Sequence, residues 1–277
     1  MKLNHSTGAI AFLLATPVVT GLTVGIAPSS AAILAGSAAA VSINNFSHKP
    51  NDTDTVTNTY TPTTIANSRS VISETTADKV FLSNSHELLP ANLSHSRVQG
   101  DGNNYSGFAH IQAAVIGDFA IEAGETFSFN FQTVLDLLIS VDNSQSERGS
   151  TSGSISLSLM NTVTNILLDS FQLTSALDSY HGLYLDFSAS NSFNSTPLNF
   201  NSMTEGSAVQ SLLSTSGVYS RTFDSATNLR LVEVKNNIAE AEAVPEPSTL
   251  LGTAIFLGLF VRRRKLNNKL SQLKSKV

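Results

Sequence analysis

The sequence predicts an all-β protein: a single antiparallel β-sandwich, jelly-roll-like, flanked by an N-terminal signal peptide and a C-terminal transmembrane helix. Two observations predict the sandwich. Apolar and polar residues alternate, most clearly in Phe127-Ser128-Phe129-Asn130-Phe131. That period lays one face of a strand on a core, whereas a helix would spread the rings around its circumference. The alternating stretches also recur at short intervals, separated by Asp/Ser/Asn-rich turns, with little helical periodicity between them. This is the pattern of antiparallel sheets packed face to face. A third observation, an apolar run near each end, predicts export.

Residues 1–40 read as a secretory signal peptide. Lys2 gives a weak positive start, and residues 9–26 are apolar but interrupted by Pro17 and Gly21. Ser30-Ala31-Ala32 and Ala38-Ala39-Ala40 each suit a signal peptidase, placing cleavage near 32 or 40. The competing view is an uncleaved N-terminal helix, which Pro17 and Gly21 weaken.

The body between the end signals is long enough for one domain with a substantial core. Cysteine is absent, which removes thiol catalysis, cysteine–metal sites and disulfide chemistry. Residues 41–243 carry eight basic against twenty acidic side chains, a net charge of about −12. Such a body repels phosphate, so nucleic acid is excluded as a partner.

Residues 41–100 form a Ser/Thr/Asn-rich segment, expected as a stalk or as edge strands. Turn chemistry marks 51–54 and 61–64, and Val71-Ile72 and Val80-Phe81-Leu82 are its short apolar pieces. The sandwich domain is expected over 101–235. Its longest alternation continues from Phe127 through Leu135, Leu137, Ile139 and Val141, and a strand of that length predicts a bend or bulge near Thr133-Val134. Gly124-Glu125 turns back to a strand holding Phe119 and Ile121. Further strands are expected at 154–159, 166–173, 183–187, 218–223 and 229–234. Residues 236–243 are expected as a linker.

Residues 244–265 hold three signals in order: Val244-Pro245-Glu246-Pro247-Ser248, an apolar run over 249–261, and the stop-transfer cluster Arg262, Arg263, Arg264 and Lys265. Prolines can open a helix but not continue one back into the preceding chain. The basic cluster stays cytoplasmic by the positive-inside rule, which places the body across the membrane. The thirteen-residue run spans roughly 20 Å as a helix, short of a hydrocarbon core of roughly 30 Å. It suits a temporary anchor better than a permanent single-pass one. Residues 266–277 form a cytoplasmic tail.

Pro245-Glu246-Pro247, the apolar run and the basic cluster together resemble the PEP-CTERM sorting signal of Gram-negative bacteria. The resemblance covers about the last thirty residues. It implies that an exosortase, a membrane-embedded cysteine peptidase-like enzyme, cleaves near the motif. Proteins of this family are frequently tied to exopolysaccharide, biofilm or surface assembly. Family tails usually end soon after the basic cluster, whereas this one continues over 266–277.

Sites of chemistry are sparse. His86-Glu87 begins like a zinc-peptidase helix, but Pro90 stands where the second histidine belongs. Asp52, Asp54, Asp101 to Asn104, and Asp142-Asn143 offer oxygen ligands that turn chemistry explains as well. Glu122 and Glu125 flank a turn and should face solvent. No catalytic residue, metal ligand or cofactor is expected. Tyr180 and Tyr184, the former at a sandwich rim, are the candidate glycan contacts.

The expected function is therefore that of an exported, non-enzymatic surface or extracellular-matrix protein, transiently anchored with its C-terminus in the cytoplasm. Its expected partners are signal peptidase and the secretion translocon, an exosortase-type peptidase, the membrane through the C-terminal helix, and exopolysaccharide. The alternatives are a carbohydrate-binding module acting on exopolysaccharide and, behind it, a secreted hydrolase.

Overall fold

The computed structural model describes residues 32–65, 68–78, 92–102, 104–142, 144 and 146–243. These residues form strands and no helix. In chain order the strands are β1 (Ala32–Asn44), β2 (Asp52–Tyr60), β3 (Thr63–Ile65), β4 (Ser68–Asp78), β5 (Asn92–Gly102), β6 (Tyr105–Ile121) and β7 (Thr126–Val141). They continue as β8 (Glu147–Asn161), β9 (Ile166–Asp178), β10 (Gly182–Ala189), β11 (Phe193–Ser195), β12 (Asn199–Glu205), β13 (Ala208–Thr222) and β14 (Thr227–Ala243).

Two antiparallel sheets of seven strands result, consistent with the expected β-sandwich. The first runs β11-β13-β7-β1-β5-β4, with β12 also on β13. The second runs β10-β9-β8-β14-β6-β2, with β3 also on β6. β1 and β5 pack over β14, and β7 packs over β8. Alternation dictates the layers. Along β14, Leu229, Leu231, Ala239 and Ala241 turn inward together with Glu233, Lys235 and Asn237, while the residues between them reach solvent to varying degrees.

The core is graded. At one end it is aromatic: Phe119 and Phe127 lie 4.7 Å apart between ring centroids, Phe129 stacks on Tyr219 at 5.0 Å, and Phe131 meets Phe171 edge-on at 5.0 Å. Each such pair contributes about 0.5–1.5 kcal/mol beyond its buried area. Toward the middle and the other end the inner faces carry Ala35, Ala39, Ala109, Ala113, Ala239, Ala241 and Gly153. A Cβ on Gly153 would lie 2.4 Å from Leu135 Cδ1 and 2.9 Å from Ser37 Oγ, so any larger residue there must displace one of these side chains.

Four expectations change. Residues 236–243 are not a linker but the C-terminal half of β14, paired with both β6 and β8 because their alternation continues that of the leucines before them. Of residues 41–100, those described are strands of the two sheets and not a stalk, with β2, β3 and β4 at edges as the edge-strand alternative expected. β5 lies inside its sheet between β1 and β4. The sandwich therefore begins before residue 101. The later signal-peptidase site, Ala38-Ala39-Ala40, lies within β1, whose Ile33, Ala35, Ala39 and Val41 are fully buried. A cut after Ala40 would remove most of a central strand, whereas one near 32 leaves it whole. Finally, β7 carries no bulge at Thr133-Val134: it pairs with β1 and β13 in unbroken register through that point.

Residues 1–31 and 244–277 lie outside the described residues, and with them the apolar signal stretch, the sorting motif and the basic cluster. Among the described residues no helix is long and apolar enough to cross a membrane.

Candidate functional site

Tyr180 and Tyr184 come from the hairpin joining β9 to β10. Asp178 builds its turn: Oδ1 accepts the backbone N–H of Tyr180 at 2.8 Å and of His181 at 2.9 Å, and lies 3.0 Å from His181 Nδ1. Gly182 follows at a φ of 76°, a left-handed conformation that glycine adopts without penalty. Partial burial alone would raise the Asp178 carboxyl; these bonds outweigh it and hold the group below its ordinary range. The two tyrosines are 52% and 59% exposed. Tyr180 donates its hydroxyl to the Ser144 carbonyl at 2.8 Å, and the Arg148 guanidinium sits 5.3 Å from its ring centroid. One ring face and the hydroxyl of Tyr180 are thus engaged in holding the approach to β8. Tyr184 stands on the outer face of β10, paired with Ala176.

Among the described residues the acidic positions form no metal-binding group, although Asp52 and Asp54 line a small cavity with Asp118 and Arg230. Asp52 and Asp54 lie on edge strand β2, each accepting the N–H of its successor at 2.8 and 2.7 Å. Beside them Arg230 binds Asp118 through two bonds of 2.8 Å, which hold the Asp118 carboxyl below its ordinary range. Asp142 accepts the Ser207 hydroxyl at 3.0 Å. Asp101 and Gly102 end β5, and Asn103 and Asn143 lie outside the described residues, as do His86 and Glu87. Glu125 meets His48 Nε2 at 3.0 Å on the surface. No group of three His, Cys, Asp or Glu that could hold a metal occurs among the described residues.

The dense polar chemistry lies between the sheets. At one point Asp169 on β9 accepts Ser190 Oγ at 2.8 Å, Tyr219 Oη at 2.9 Å and Arg221 Nη1 at 2.8 Å, tying β9 to β13 of the facing sheet. Burial alone would raise its carboxyl, but the hydrogen bonds from Arg221, Ser190, Ser192 and Tyr219 prevail and depress it. The same burial and the neighbouring Asp169 push the Tyr219 phenol well up.

A second polar layer crosses the alanine-rich region. Asn237 on β14 accepts Ser37 Oγ of β1 at 2.8 Å and donates to Ser94 Oγ of β5, while Ser96 Oγ donates to the Asn237 carbonyl at 2.9 Å. Thr151 donates across to the Gly36 carbonyl at 2.9 Å. Four residues before Asn237, on the same inner face, Glu233 accepts Lys235 Nζ on Oε1 and Asn92 Nδ2 on Oε2, the latter at 3.0 Å. Glu233 is 1% exposed and Lys235 is 0% exposed. Desolvation raises the Glu233 carboxyl more than Lys235 and Asn92 lower it.

The sequence reading did not single out these residues, although the signal was present. Glu233, Lys235 and Asn237 share the parity of Leu229 and Leu231, so a strand reading carried past residue 234 puts two charges and an amide in the core. Comparison with known proteins returned no match, whether to a family model, a curated protein or a solved structure.

Proposed function

We propose that this is an exported surface or extracellular-matrix protein whose β-sandwich body is structural or adhesive, sorted and cleaved at its C-terminal motif by a membrane exosortase. The order of signals after the body carries the reading. β14 runs to Ala243, and Val244 opens the proline motif, followed by the apolar run and the basic cluster. Cleavage at the motif would therefore leave the central strand intact. The body suits such a role: long paired strands, a net negative surface and no cysteine. We also read the sandwich as jelly-roll-like, because β5, β6, β7 and β8 alternate between the sheets, with β14 between β6 and β8 and β1 between β5 and β7.

The test is the mass and location of the mature protein in producing cells with and without their exosortase-type peptidase. A chain lacking Arg262 to Lys265 is expected at the cell surface or in the matrix only when the enzyme is present. An intact C-terminus in cells that contain it overturns the sorting reading and leaves a single-pass anchor.

The exposure of Tyr184 favours a second reading, in which the body binds exopolysaccharide through the outer face of β10. Saturable binding to the host's own polysaccharide, lost in Tyr184→Ala, supports it; no binding by folded protein ends it.

A further inference from the structure

Three side chains in the dry interior have the composition and contacts of a self-reacting site. Lys235 supplies an amine, Asn92 a carboxamide, and Glu233 a carboxyl group that touches both, one on each oxygen. Lys235 and Glu233 lie two residues apart on one strand and so face the same side, while Asn92 comes from the opposite sheet at the start of β5. The cross-strand neighbours of Glu233 are Leu157 and Val115, and those of Lys235 are Ile155 and Ala113. All four are buried. Water is thus kept from the site by apolar walls.

A buried Lys–Glu pair is weak support for a fold, since apolar residues of similar volume usually serve as well or better. Desolvation does, however, suit chemistry. A lysine amine becomes a nucleophile once its proton is drawn away in an apolar pocket, and a carboxyl group kept in its acid form can pass protons on. Burial raises Glu233 in that direction. Fixing the reactants side by side replaces a bimolecular encounter.

We propose that Lys235 and Asn92 are joined by an intramolecular isopeptide bond, formed in the folded protein with Glu233 as the proton carrier. The neutral Nζ adds to Cγ of Asn92 and passes a proton to one Glu233 oxygen. The carboxyl group delivers a proton from the other to Nδ2, the Cγ–Nδ2 bond breaks, and ammonia leaves. One C–N bond forms and one breaks, Glu233 ends as it began, and no oxidant or metal takes part. The contacts suit these steps, because the leaving nitrogen and the attacking amine already share the carboxyl group. The product staples β5 of one sheet to β14 of the other. A chain without cysteine would gain a covalent clasp that no thiol reductant opens.

Tryptic mapping of the full chain, purified folded and then denatured, tests this directly. Lys79, Arg97, Arg230 and Arg262 bound the relevant peptides. The bond predicts a branched species of residues 80–97 and 231–262, uncut after Lys235 and lighter than its two parts by one ammonia; where the C-terminus has been processed, the second arm ends there instead. Separate peptides, with cleavage after Lys235, overturn the proposal, and this result needs no variant. Glu233→Gln keeps the shape but not the proton carrier, so its folded fraction is expected to give separate peptides. The branched species in undiminished yield from that variant would overturn the role given to Glu233.

Discussion

Replacing Asp169 by asparagine probes how far the two sheets depend on one charged contact. The side chain keeps its size, so no cavity opens, and the amide oxygen can still face Tyr219 and Arg221 while its nitrogen faces the Ser190 hydroxyl. What disappears is the negative charge behind the bonds of 2.9 Å from Tyr219 and 2.8 Å from Arg221. A hydrogen bond to a charged group contributes about 1 kcal/mol more than a neutral one. The Tyr219 share should be fully felt, since that residue is 0% exposed. Arg221 is 37% exposed at its side chain, and solvent screening reduces its share. The expected loss is about 1.5 kcal/mol, read in urea unfolding as a midpoint lowered by about 0.6 M at a slope of about 2.5 kcal/mol/M. The pH dependence gives a second check. The folded carboxyl titrates below its unfolded value of about 3.9, so its stabilisation is complete above that value and fades as pH falls through the lower folded one. The variant's deficit should hold constant from about pH 5 to 7 and shrink below about pH 4. A midpoint shift under about 0.2 M, or a deficit that persists undiminished at the lowest pH where the protein folds, would show that the contact does not join the sheets as argued.

Gly153→Ala places a methyl group against Leu135 Cδ1 and Ser37 Oγ in the layer where the sheets approach. Thermal unfolding should show a loss of about 1–3 kcal/mol, and an unchanged melting temperature would mean the layer yields freely. A chain starting at residue 32 should fold cooperatively, whereas one starting at Val41 should not, by circular dichroism and hydrogen exchange. The latter loses Ile33, Ala35 and Ala39 from the core and separates β5 from β7, against a total stability of about 5–15 kcal/mol for a typical domain.

The sequence made the layers legible where side-chain type and strand parity agree. Phe127 to Ile139 announced β7, and the strand expected at 183–187 is β10. It failed where composition misled. Residues 32–40 are alanine-rich and follow an apolar run, so they read as signal rather than strand. Small residues are what the narrow inter-sheet space requires, and Ala35 and Ala39 there are fully buried. Residues 236–243 read as a linker because they follow the last apolar alternation, yet pairing with β6 and β8 on both sides makes them strand. β11 and β12 were not legible, being respectively very short and exposed throughout. The hairpin with Tyr180 and Tyr184 was legible as a rim, but the engagement of Tyr180 with Ser144 and Arg148 depends on residues distant in sequence. The same holds for Asn92 and Glu233, separated by |i−j| of 141.

The two ends of the described chain occupy the centre of the sandwich, and this bears on the proposed export. β1 lies between β5 and β7, β14 between β6 and β8, and the two meet across the core where Ser37 binds Asn237. The second sheet is not complete until the last strand arrives: without β14 the β6–β2 side has no ladder to β8, and the polar groups of Ser37, Ser94 and Ser96 on the first sheet lose their partner. Pairings this distant in sequence form slowly, because loop closure precedes any gain from contact. A chain led out by an N-terminal signal would therefore stay unfolded, and fit for a translocon, until residue 243 has followed. In the proposed topology the proline motif and stop-transfer cluster come immediately after that strand. The apolar run would then hold β14 at the outer surface while it closes the second sheet against the first, and cleavage at the motif would release a body already complete.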